Sequence, residues 1–144
     1  DYDFVGKALD ELKVEEQFYK VRQKPGKPIY FGKKDQTVVF GLPGNPAAVL
    51  TSFYLYVTEV LLRMTGNREG FLRFKQLRLL KEVEKPAGMT WFLKGKTEES
   101  GVQILPAQSS GMLSAFVEAD CLIELPEGES LFPVGCEVKV TMIR

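Results

Sequence analysis

The chain has 144 residues, 44% hydrophobic and 26% charged, a globular composition with room for one ordinary domain or two small pieces. Nineteen Lys and Arg balance nineteen Asp and Glu, so the basic excess of a nucleic-acid binder is missing, although a local basic pocket is allowed. There is no histidine and only two cysteines, Cys121 and Cys136, which excludes His- or Cys-cluster metal sites and Ser-His or Cys-His pairs.

Phe4, Ala8, Leu9 and Leu12 recur at helical spacing opposite Lys7, Asp10, Glu11 and Lys13, which predicts a short amphipathic helix that Asp1 or Asp3 can cap. Phe18, Tyr19 and Val21 suggest a strand, broken by Lys24-Pro25-Gly26-Lys27-Pro28. Ile29, Tyr30 and Phe31 suggest another, and 32–36 is turn-like. Residues 37–40 are a continuous apolar run, expected for a strand buried on both faces. Gly41-Leu42-Pro43-Gly44-Asn45-Pro46 then leads into a long apolar helix over 47–64, with Asn45 as N-cap, Pro46 as first helical residue and Gly66 as terminator. Its apolar residues cover more than one stripe, so it must be buried on several sides, by its own domain or by a second subunit.

A polar, glycine-containing stretch over 65–70 is a candidate linker. Beyond it, short strands over 71–83, 91–93, 102–105, 121–125 and 137–142, punctuated by Gly and Pro, predict a small all-β barrel or sandwich. Residues 113–119 suit a helical turn or two. No apolar run approaches the roughly 20 residues of a membrane span, and nothing suggests secretion. The chain begins without methionine and almost at once enters a helix, which suggests a piece of something longer.

Four constellations could carry chemistry. A strand, a Gly/Pro turn and a helix N-terminus over 41–46 aim backbone amides and the positive helix end at one point, where an anion or nothing could sit. Lys24 and Lys27 flank a rigid turn, either solvated or holding an anion. Asp3 can cap a helix or ligate magnesium, a hard cation suited to oxygen donors. Gln108-Ser109-Ser110-Gly111 is a plain turn or an oxyanion loop, and Lys94 after Trp91-Phe92-Leu93 could point a charge into the same region. The two cysteines are buried thiols in a reducing cytosol or a disulfide.

The order Asp1-Tyr2-Asp3, Lys24-Pro25-Gly26-Lys27-Pro28, Gly41-Leu42-Pro43-Gly44-Asn45-Pro46 and long helix resembles the molybdopterin molybdotransferase family, bacterial MoeA and the E domain of gephyrin. Pro106-Ala107-Gln108-Ser109-Ser110-Gly111, 119–126 and 135–140 look like the family's C-terminal barrel. The resemblance covers the whole chain. It implies the C-terminal half of a molybdopterin-binding α/β sandwich over 1–69, followed by a small β-barrel domain over 70–144. It also implies a cytoplasmic, homodimeric enzyme that inserts molybdate into adenylylated molybdopterin with magnesium-dependent release of AMP, binding neither nucleic acid nor membrane.

In that resemblance Asp3 is the catalytic carboxylate and metal ligand. Lys24, Gly26, Lys27 and Pro28, then Pro43, Gly44, Asn45 and Pro46, then Lys94, Ser109 and Ser110 bind the oxyanion and substrate. Lys94 stands where many relatives carry arginine, which keeps the charge and loses the bidentate fork. The first half of the α/β domain is missing, so this piece alone is expected neither to complete the fold nor to turn over substrate. Relatives of the gephyrin kind offer the alternative of a scaffold that dimerises and holds partner peptides.

Overall fold

The computed structural model of the chain describes residues 4–66, 74–106, 108–109 and 113–144. The first helix, α1 (Phe4–Glu11), is followed by β1 (Glu15–Tyr19), β2 (Gln23–Lys24), β3 (Tyr30–Lys34) and β4 (Thr37–Gly41). Strands β1, β3 and β4 form an antiparallel sheet with β3 in the centre. The apolar run of β4 is not buried on both faces as expected. This strand pairs only with β3 among the described residues, and Val38, Val39 and Phe40 are partly covered.

The long helix runs from Pro46 to Met64 as α2 (Pro46–Ser52), a π-helical stretch (Phe53–Val57) and α3 (Thr58–Met64). Gly66 follows it at φ 81, a backbone conformation that glycine adopts without a Cβ penalty. It is 19 residues long, and an 18-residue window within it has a mean hydropathy of 1.3, so by length and composition it could cross a membrane, contrary to the sequence expectation. The reason is its near lack of charge: Glu59 and Arg63 are the only ionised side chains, and they pair with each other at 2.6 Å.

Next along the chain come β5 (Phe74–Arg78), β6 (Val83–Glu84), β7 (Thr90–Glu98), β8 (Gly101–Ile104), α4 (Ser114–Glu118), β9 (Cys121–Leu125), β10 (Leu131–Phe132) and β11 (Glu137–Met142). Their main sheet has the order β2-β7-β9-β11-β5, with β8 also on β7. Its far end curls until Leu79 meets Val102 in a single bridge, supported by the Leu80 amide donating to the Val102 carbonyl at 3.0 Å. Gly101 makes this approach possible, since a Cβ there would meet the Arg78 carbonyl oxygen at 2.1 Å. One bridge is not a ladder, because the chain bends away at Leu80 and Lys81 before pairing can propagate. The expected β-rich unit is present, and among the described residues it stops short of a closed barrel.

Two apolar clusters hold the structure. One lies inside the β-rich sheet, around Leu79, Leu93, Val102, Ile123, Leu125 and Val140. The other joins the long helix to that sheet: Ala47 and Leu55 pack with Phe116 and Leu122. A leucine or phenylalanine fully removed from water contributes about 1.5–3 kcal/mol, so this second cluster is a substantial tie between the two parts of the chain. The parts are also joined by backbone. Strand β2 pairs in parallel with β7, Gln23 beside Thr90 and Lys24 beside Trp91. The first part therefore lends a strand to the sheet of the second.

Candidate functional site

The turn before the long helix is self-capped. The Asn45 side-chain carbonyl accepts the amides of Ala47 at 3.1 Å and Ala48 at 3.4 Å. Pro46 has no amide to offer, so the first-turn donors that could have met an anion are already engaged or absent. Ala47 and Thr51 on this helix instead form one wall of a cavity of about 290 Å³. The opposite walls come from Lys24 and Pro25, from Trp91 to Lys94 on β7, from Gln108 and Ser109, and from Phe116 on α4.

Lys94 is the group that sets the character of this cavity. Strand alternation puts it on the same side of β7 as Phe92. Its side chain is only 4% exposed, and its Nζ has no hydrogen-bond partner among the described residues. The ammonium lies 5.5 Å from the centroid of the Phe116 ring, a weak cation–π contact. Burial pushes its pKa below the ordinary lysine value. A buried ammonium without a partner is costly, and a bound anion would relieve it. Lys24 supplies a second charge, with its Nζ 4.3 Å from the Trp91 ring centroid. Among the described residues no carboxylate lines the cavity.

Gln108 and Gln23 brace the two lysines. Gln108 accepts the Lys94 amide at 3.0 Å and donates Nε2 to the carbonyls of Lys94 at 2.9 Å and Leu105 at 2.6 Å. This clamps Ser109 to the rim. Gln23 is 3% exposed and donates Nε2 to the Pro25 carbonyl at 3.0 Å, while the Tyr56 hydroxyl donates to its Oε1. Gly26 sits at φ 94, where a Cβ would meet Gln23 Nε2 and Ser52 Oγ, both at 2.7 Å. The turn carrying Lys24 therefore lies flat against the long helix.

A second, larger cavity of about 580 Å³ is lined by residues that include Pro28, Gly41 to Gly44, Asp10, Glu16, Tyr19 and Tyr30. The Tyr30 hydroxyl is pushed up by burial, then by the charges of Glu16 and Asp10. The sequence-nominated residues are thus divided. Lys24, Lys94 and Ser109 share the smaller cavity, and Pro28, Pro43 and Gly44 the larger. Asn45 and Pro46 start the helix, Gly26 packs beneath the turn, and Lys27 is exposed and lines neither cavity. Asp3 and Ser110 lie outside the described residues. Trp91, Thr51, Gln23 and Phe116 were not nominated. The one available signal was the position of the sole tryptophan, three residues before Lys94.

The comparisons agree with this architecture. Residues 1–63 match the family described as probable molybdopterin binding domain, and residues 76–143 match the MoeA C-terminal region (domain IV). The chain belongs to the MoeA family. It is 30% identical over 146 residues to the molybdopterin molybdenumtransferase of Staphylococcus aureus (strain Mu50), covering 99% of this chain and 35% of that protein. The Synechococcus elongatus molybdopterin molybdenumtransferase is 32% identical over 141 residues, with 96% and 34% covered. The crystal structure of a molybdopterin biosynthesis MoeA protein from Pyrococcus horikosii superposes with a TM-score of 0.82 at 34% identity, covering 99% of this chain and 35% of that one. The chain therefore spans about a third of the length of these relatives, and corresponds to the C-terminal portion of a MoeA protein.

Proposed function

We propose that this chain supplies one wall of the oxyanion and pterin cleft of a cytoplasmic molybdopterin molybdotransferase. The reaction is insertion of molybdate into adenylylated molybdopterin with release of AMP. The observation that carries the reading is Lys94: a buried ammonium, unpartnered among the described residues, on a cavity whose described lining holds a second lysine and no carboxylate. Molybdate is a dianion, and two lysines offset the cost of bringing it beside a pyrophosphate. Gln108 fixes Lys94 and Gln23 fixes the Lys24 turn, so the charges are preorganised where negative charge must be held. Ser109 at the rim adds a hydroxyl donor for the same oxyanion, and Ser110 is assigned beside it.

Asp3 is assigned the catalytic carboxylate. Magnesium would compensate charge on the substrate's phosphates. Among the described residues no group of three or more Asp, Glu or Cys could hold a metal ion. The division into a molybdopterin-binding part over 1–69 and a β-barrel domain over 70–144 belongs to the same proposal, as does a homodimer. Exposed Phe53, Leu61 and Met64 on the long helix suit a protein partner face rather than a membrane.

Trp91 is the chain's only tryptophan and touches Lys24, so its fluorescence should report anion entry. Titration of the chain with sodium molybdate is expected to give a saturable change that Lys94→Met weakens about tenfold or more. A flat titration, or an unchanged one in Lys94→Met, would sink the reading.

A further inference from the structure

The long helix changes its winding beside the Lys24 turn. The π-helical stretch over Phe53–Val57 contains Tyr56, whose hydroxyl donates to Gln23 Oε1. Gln23 in turn donates to the Pro25 carbonyl at 3.0 Å. Single π turns inside α-helices insert a residue, re-aim the side chains that follow, and recur at functional sites. Here the re-aimed residue reaches a glutamine that is 3% exposed and lies directly under the turn. Nothing in Tyr56 touches the cavity, which it does not line. Its connection runs through Gln23 to the peptide that follows Lys24.

We propose that Tyr56 is a positioning residue for the anion cavity: acting through Gln23, it holds the Lys24-Pro25 turn so that the Lys24 ammonium stays against Trp91 and facing Lys94. The chain of contacts supports a single function for three features that are otherwise unrelated. The first is the π winding, which turns Tyr56 toward Gln23. The second is the polar residue at position 23, buried where an apolar one would pack without needing partners. The third is Gly26, where any side chain would strike Gln23 and Ser52. The effect on anion binding rests on the reading of the cavity given above, whereas the effect on Lys24 does not.

The test uses the full chain with Tyr56→Phe, Gln23→Met and the double variant, and two readouts. In the absence of ligand, the Trp91 indole N–H resonance reports whether the Lys24 ammonium still sits on the ring. Tyr56→Phe is expected to shift it, with a melting midpoint lowered only by the loss of one donor to the Gln23 carbonyl oxygen. With sodium molybdate as probe, Tyr56→Phe should weaken binding about fivefold, the worth of one neutral hydrogen bond. The double variant should be no weaker than Gln23→Met, because both act through one link. If Tyr56→Phe lowers the melting midpoint substantially, Gln23→Met alone supplies the resonance comparison. An unmoved Trp91 resonance, or independent losses that multiply in the double variant, overturns the proposal. Absence of molybdate binding in the unmodified chain would instead overturn the reading of the cavity, and the ligand-free resonance would still decide the role of Tyr56.

Discussion

The Gln108 side chain hydrogen-bonds both backbone groups of Lys94, accepting from its amide at 3.0 Å and donating to its carbonyl at 2.9 Å. It behaves as one more residue of a neighbouring strand, placed where the β7–β8 ladder ends at the Gly95–Ile104 pair. The Lys94 carbonyl also accepts from the Leu105 amide at 3.0 Å, whereas among the described residues the Lys94 amide is given to the Gln108 side chain.

Gln108→Ala therefore orphans a buried amide and should cost about 1–3 kcal/mol of unfolding free energy. Denaturant titration would measure it. Gln108→Glu keeps the acceptor and loses the donor, and should cost less. Equal losses in the two variants would contradict this assignment of the bonds.

Lys94 should make stability and anion affinity respond to pH in opposite senses. Burial lowers its pKa from the ordinary 10.5, so the folded chain resists the charged form. Between the folded and unfolded pKa values the unfolded chain holds more protons, and stability rises with pH there. Below the folded pKa the cost of the buried charge is fully present. Lys94→Met should raise the melting midpoint at neutral pH and flatten this rise. Molybdate affinity should fall as alkaline pH removes the lysine proton. The variant should lose about tenfold or more of that affinity at neutral pH, since hydrogen bonds to charged groups contribute roughly 1.5–3 kcal/mol.

Asp120 should act at the acid end. Burial alone would raise its pKa. Hydrogen bonds from the Thr97 hydroxyl at 2.6 Å and the Thr97 amide at 2.9 Å prevail, and the net value is lowered. Its stabilisation is present above the unfolded pKa and lost as pH falls through the folded one. Asp120→Asn should cost about 1–2 kcal/mol at neutral pH. Melting curves of the two proteins should converge in strong acid.

Gly26→Ala tests the packing beneath the Lys24 turn. The positive φ and the two 2.7 Å approaches act together. A loss of about 1–3 kcal/mol is expected for backbone held in a sparsely populated region. Gly44→Ala, where a Cβ meets nothing within 4 Å, is the matched control and should be nearly silent in the same melting assay.

The long helix and its boundaries were legible because caps and periodicity are local. Asn45, Pro46 and Gly66 stand where the residue types place them. Strands β9 and β11 coincide with their apolar runs for the same reason. The polar beginning of β1, Glu15 and Glu16, carries no apolar pattern because all five of its residues are exposed. The two-residue strands β2, β6 and β10 are too short to show a period. The π winding leaves no signature in residue type.

The site was legible by motif and not by geometry. Lys24, Lys94 and Ser109 could be nominated as charges and hydroxyls. Their common cavity depends on contacts over long sequence distances: Gln108 to Lys94, Tyr56 to Gln23, and the pairing of β2 with β7. Nor does the motif show that Asn45 consumes amides its own loop could have offered to an anion.

The parallel pairing of Lys24 with Trp91 has one further consequence. A hinge between the Lys24 turn and β7 could open only by tearing β2 from the sheet, so an anion entering the cavity would meet a preset slot and not a closing jaw. For the same reason residues 76–143 cannot be grafted freely. A chimera would keep the slot only if its new N-terminal segment brought a strand in register with Thr90 and Trp91.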